Sequence, residues 1–231
     1  MHIKGQMLRK LILIALAIVF MLLSISPGIT HIEKPISFKH ATSLTYCFSD
    51  VSPLLSRYNI DKKLAKGMFL VASENIRDPL FAKTVILLID YSYRGAMGLI
   101  VNKPSEIKLS KIFPEIKGLE QKLYYVYIGG PVSINHVFLL IQSGSQPEGS
   151  VMVFDNIYVS SNKTLLMRTF ENLKAEERFR LYAGYAGWAS GQLDWEIARG
   201  DWHIMRADAE VIFDKAPLDV WQRLMFKNTT I

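Results

Sequence analysis

Gly184-Tyr185-Ala186-Gly187-Trp188-Ala189-Ser190-Gly191-Gln192-Leu193 sets three glycines and two aromatics in ten residues. Ordinary core sequence does not look like this, because glycine is the residue of positive φ and of close backbone approach. The stretch follows a strand-like segment, Phe179 to Tyr185, and precedes a helix-like one, Gln192 to Ala198. It therefore predicts a strand-to-helix turn, a common place for ligands. Its spacing, Gly-x-x-Gly-x-x-x-Gly, matches neither a dinucleotide fingerprint nor a Walker A loop. Two readings stand side by side. One is a steric hinge that folds Trp188 back onto a sheet; the other is a polar or anionic site at the following helix N-terminus.

Working outward, compact apolar runs bounded by Gly, Pro, Asp or Asn predict strands. They lie at Met68 to Ala72, Thr84 to Asp90, Met97 to Asn102, Tyr124 to Ile128, Val137 to Ile141, Val151 to Phe154 and Val211 to Phe213. Helices are expected from about Asn162 to Leu173 behind Ser160 and Ser161, from Gln192 to Ala198 stopped by Gly200, and from Leu218 to Phe226 after Pro217. Helices alternating with strands imply an α/β (α+β) body, a compact layered sandwich of a mixed β-sheet with packed helices in one domain.

The chain has 231 residues, half of them hydrophobic, and a net charge of +6. Residues 1–66 hold nine Lys/Arg and three Asp/Glu, and residues 67–231 hold eighteen of each. The basicity thus belongs to the N-terminal segment, and a neutral body argues against nucleic acid as a partner. Within that segment, Lys4, Arg9 and Lys10 precede thirteen apolar residues, Leu11 to Leu23, and no charge occurs until after Thr30. This layout predicts a secretory signal peptide or membrane anchor over residues 1–30. The expected location is the inner membrane or periplasm, with a cytoplasmic protein as the alternative if the extension is not translated. Residues 31–66 read as a linker with a short helix, and 67–231 as the folded domain.

Along that body, Gly67-Met68-Phe69-Leu70-Val71-Ala72, Asp78-Pro79-Leu80-Phe81, Gly95-Ala96-Met97-Gly98-Leu99-Ile100-Val101-Asn102-Lys103-Pro104 and Gly129-Gly130-Pro131-Val132 precede the Gly184 stretch, with Trp202 and Trp221 beyond it. In this order the segments resemble the AlgH/YqgE family from Gly67 to about Phe226. The resemblance implies an α/β sandwich and a bacterial protein of unassigned activity, a family linked to transcriptional regulation through alginate control. The N-terminal extension and the pairs Ala189-Ser190 and Asp194-Trp195 depart from the family pattern.

Catalytic signals are sparse. Cys47 is the only cysteine, and His136 and His203 are the only histidines of the body, without diagnostic partners. No cofactor or metal motif is present, and Ser190 lacks the leading glycine of a nucleophile elbow. Asp78, Asp194 and Glu196 are carboxylates close to the quoted motifs. The expected function is a noncatalytic module binding a small molecule or a protein, with its site drawn from Asn102, Gly129, Gly130, Pro131, Tyr185, Gly187, Trp188, Ser190 and Gln192. The alternatives are a small-molecule enzyme using Asn102, Ser190 or Asp194, and a transcriptional regulator.

Overall fold

The computed structural model describes residues 64–117, 119–120, 124–171 and 178–229. Ten strands form one mostly antiparallel sheet: β1 (Met68–Ala72), β2 (Val85–Ser92), β3 (Gly95–Ile100), β4 (Pro104–Lys108), β5 (Tyr125–Ile128), β6 (Val132–Gln142), β7 (Val151–Phe154), β8 (Ile157–Ser160), β9 (Phe179–Ala189) and β10 (Trp202–Arg206). Among the described residues five helices accompany them: α1 (Leu109–Ile112), α2 (Lys163–Glu171), α3 (Gln192–Ala198), α4 (Ala209–Ile212) and α5 (Val220–Thr229), the last entered through a 3-10 turn, Pro217–Asp219. The main strand order is β10-β1-β2-β3-β9-β6-β8-β7, with β5 beside β9 and β4 beside β5. Only the β5–β9 pairing is parallel, so the sheet is mixed and the fold is α+β, as expected.

β9 carries this arrangement. Residues 179–185 pair with β6, 181–183 pair with β5, and 186–189 pair with β3. Side chains alternate across a strand, and the two faces of β9 feed different cores. Tyr182, Ala186 and Trp188 join one apolar cluster with β1, β2 and β3, while Phe179, Leu181 and Ala183 join another with α1 and α2. Burial on both faces explains why β1 and the first half of β2 read as unbroken apolar runs rather than as alternating patterns. Trp221 fastens α5 to the first core by donating its indole N–H to Ala72 O at 2.7 Å.

The glycine-rich stretch is mostly strand rather than turn. Pairing with β3 continues to Ala189, and the turn shrinks to Ser190 and Gly191, the latter at φ 73°. The reason lies in a second backbone: a Cβ on Gly129 would sit 2.2 Å from Gly184 O, and one on Gly130 would sit 2.1 Å from Tyr185 C. Gly184, Gly129 and Gly130 thus allow two strands to press together while pairing continues. Val211 to Phe213 is a second correction, since Ala209–Ile212 is a helix capped by Asp208, whose side chain accepts from Glu210 N. Four apolar-rich residues fit a single helical turn as well as a short strand.

The membrane-anchored or exported placement is corrected as well. Among the described residues no helix is long and apolar enough to cross a membrane. The longest, α5, has ten residues, or about 15 Å, against the ~30 Å of a bilayer core. Leu11 to Thr30 and residues 31–63 of the expected 31–66 linker lie outside the described residues.

Candidate functional site

β9 ends at Ala189, and the left-handed Gly191 turns the chain into α3. Gln192, Glu196 and Arg199 follow at i, i+4 and i+7, which places them along one helix face, while Leu193 of the same helix is buried in the core. After Gly200 the chain returns through Asp201 into β10, and Trp202 takes its place opposite Ala72 of β1. These segments and the loop after β1 enclose a cavity of about 440 Å³. Its lining comprises Asn75, Ile76, Arg77, Asp78 and Phe81 from the loop, Gly187 and Trp188 from β9, Gln192, Glu196 and Arg199 from the α3 face, and Asp201 and Trp202.

Glu196 organises the cavity. Its Oε2 accepts the indole N–H of Trp188 and that of Trp202, each at 2.8 Å. Its Oε1 accepts Gln192 Nε2 at 2.9 Å. The two indoles meet edge to face with centroids 6.1 Å apart, and Phe81 meets Trp202 in the same manner at 6.1 Å. Both tryptophans are buried, at 7% and 5% exposure. Arg199 does not engage Glu196 by hydrogen bond; its Nε and Nη2 both donate to Asp201 Oδ2.

The loop wall is held from outside. Asp78 Oδ1 accepts Leu80 N at 2.8 Å, and Lys103 Nζ donates to Pro79 O and Leu80 O at 3.1 and 2.7 Å. Burial lowers the pKa of the Lys103 amine, and the Asp78 charge pulls it the other way. Asn102 belongs to the same support: its Oδ1 accepts Val85 N at 2.8 Å and its Nδ2 donates to Lys83 O at 2.9 Å.

Of the nine expected site residues, the structure brings Gly187, Trp188 and Gln192 to the cavity. Asn102 is a buried latch instead, and Gly129 and Gly130 are spent on strand packing. Pro131 is exposed beside that packing and Tyr185 is half-buried against Phe138, neither of them in the lining. Ser190 donates its hydroxyl to Tyr93 O at 2.6 Å, which ties the turn to the β2–β3 hairpin. Asp194 is likewise used, accepting from Tyr91 Oη at 2.7 Å. Glu196 and Trp202 are residues of the cavity lining that sequence reasoning left out of the set. Their signal was present in the flanking of one glutamate by two tryptophans, with Gln192 one helical turn before it.

The lining offers no hydroxyl, thiol, imidazole or lysine amine. Among the described residues no group of three or more His, Cys, Asp or Glu could hold a metal ion. What the arrangement can do is accept hydrogen bonds in a half-open space bordered by packed aromatic rings.

A family model described as AlgH-like matches residues 69–229. A UPF0301 protein of Chromobacterium violaceum is 38% identical over 150 residues, spanning 63% of this chain and 80% of the relative. One from Magnetococcus marinus is 32% identical over 158 residues, spanning 68% and 84%. Among solved structures, the AlgH protein from Pseudomonas aeruginosa superposes with a TM-score of 0.58 at 28% identity, covering 72% of this chain and 89% of that one. A protein from Corynebacterium diphtheriae gives 0.60 at 26% identity, covering 71% and 87%.

Proposed function

This chain belongs to the AlgH-like family, and from that premise we propose that its folded body is a noncatalytic ligand-binding module whose site is the cavity between α3, the end of β9 and the loop after β1. The observation that carries this reading is the convergence of two buried indole N–H groups on one carboxylate at the wall of a space of about 440 Å³. Small-molecule sites commonly run from about 300 to 1,000 Å³, with apolar and aromatic walls and a few placed polar groups. The lining offers no hydroxyl, thiol or amine nucleophile, and its Glu196 carboxylate is taken up by two indoles and an amide, which favours binding over covalent chemistry.

The test uses the full-length chain labelled with ¹⁵N at its tryptophans, with the indole resonances of Trp188 and Trp202 assigned from single Trp→Phe variants. A metabolite library covering cationic, neutral and anionic compounds is then titrated. Saturable shifts of those two resonances are expected for at least one compound. A library that binds elsewhere, or leaves both indoles unmoved at millimolar concentration, would overturn the assignment.

A further inference from the structure

We infer that the ligand of this cavity is a small organic cation, an ammonium or guanidinium carried on a short apolar stem, with its charged head against Glu196. The inference rests on the ligand-binding reading of the same cavity and adds the chemical class. Every donor that Glu196 receives is neutral: two indoles and one side-chain amide. These bonds hold the carboxylate in place without cancelling its charge.

No protein cation is hydrogen-bonded to Glu196. Arg199 gives its hydrogen bonds to Asp201 and acts on Glu196 only through space, and Arg77 is exposed with no ion-pair partner among the described residues. Counted around the lining, two arginines face three carboxylates, Asp78, Glu196 and Asp201, and Lys103 behind the loop wall offsets Asp78; the attraction for a cation is therefore local to Glu196, whose bonded donors are all neutral. The donors argue the same way. In an anion site the indole N–H groups would be turned toward the ligand, whereas here both are consumed by Glu196. A carboxylate offers roughly four lone-pair positions. Three are occupied, which leaves one acceptor for an incoming N–H.

The walls select for the same class. Trp188, Trp202 and Phe81 line the space, and aromatic π-systems attract cations and disfavour anions. The space exceeds what a bare ammonium needs and leaves room for a short stem.

The test compares shape-matched probes on the full-length protein: butylguanidinium against uncharged butylurea, with butylammonium and butyrate alongside, all read from the Trp188 and Trp202 indole resonances. Butylguanidinium is expected to bind at least about tenfold more tightly than butylurea, in line with the strength of hydrogen bonds to a charged group. Glu196→Gln, which keeps an acceptor for the indoles, is expected to bring the ratio of the butylguanidinium and butylurea affinities close to one, whatever its effect on each affinity alone. The wild-type comparison stands whether or not the variant folds. Equal or tighter binding of butylurea or butyrate would overturn the inference, as would a guanidinium preference that survives Glu196→Gln. If neutral or anionic members of the metabolite library shift the indoles and the cations do not, the cation inference fails while the ligand-binding reading stands. If nothing shifts them, both fail.

Discussion

Arg180, near the start of β9, and Glu196, just past its end, solve one problem in opposite ways. Each is a charged group without an opposite charge hydrogen-bonded to it. Arg180 is 8% exposed; its Nη1 and Nη2 donate to the carbonyls of Val101 and Asp214 at 3.0 and 2.5 Å, and its guanidinium lies 4.2 Å from the Tyr127 ring centre. None of those partners lines the cavity. Glu196 is held by neutral donors too, but it is half-buried and opens onto free space. The contrast teaches that a charge hydrogen-bonded only by neutral groups does not by itself mark a ligand site. Enclosed by protein, the charge ties strands together; beside a cavity, it is free to act on what enters.

The comparison breaks first, if it breaks, at Arg180. Arg180→Ala removes two charge-assisted bonds and leaves the Val101 and Asp214 carbonyls without those donors, so a loss of about 3–5 kcal/mol is expected in urea unfolding. The Trp188 and Trp202 resonances of the remaining folded protein should keep their positions. Asn102→Ala comes next at about 1–3 kcal/mol, because the buried Val85 N–H loses its acceptor. A variant that unfolds as easily as wild type would return Asn102 to the list of ligand-contacting candidates.

Trp188→Phe keeps a ring in the core and deletes one of two indole donors to Glu196 Oε2. A cost of roughly 1–2 kcal/mol is expected, since Trp202 still holds the carboxylate. Thermal unfolding of the single variant and of Trp188→Phe combined with Trp202→Phe measures it, and the pair should cost more than the sum of the singles if the two indoles share one acceptor. The smallest effect concerns pH. Burial first, and then the hydrogen bond to Asp194, push the Tyr91 hydroxyl from 10.0 up to about 12. Its contribution is therefore complete below pH 10 and is lost as pH rises through about 12. Tyr91→Phe should flatten the fall in unfolding free energy over that window.

Much of this architecture is legible in the residues. Met68–Ala72, Val151–Phe154 and Gln192–Ala198 are bounded as their punctuation predicts. β4, β8 and β10 were not expected: Pro104–Lys108 has polar and charged residues at most positions, and Trp202–Arg206 mixes rings with charges. β4 and β10 are set by their neighbours in the sheet, which local preference does not report, whereas Ile157-Tyr158-Val159 of β8 carries strand-favouring residues in a run short enough to pass unnoticed. At the candidate site, the Gly184 stretch supplies Gly187, Trp188 and Gln192 to the cavity lining. It also misled, because a glycine admitting a neighbouring backbone and a glycine beside a cavity look alike in one dimension. Glu196 escaped because its importance comes from Trp202, which reaches it only when β10 returns to β1.

That return has a consequence for how the chain acquires its structure. β1 is paired on one side by its sequence neighbour β2 and on the other by β10, which is made almost last. During synthesis the outer edge of an apolar strand therefore waits unpaired while most of the domain emerges. Closing so long a loop makes folding slow, in the range of milliseconds to seconds, and the waiting edge is a template for mispairing between nascent chains. A chain interrupted just after Gly200 would retain nine of the ten strands and still lack the one that covers β1, so it should aggregate rather than persist as a smaller folded domain.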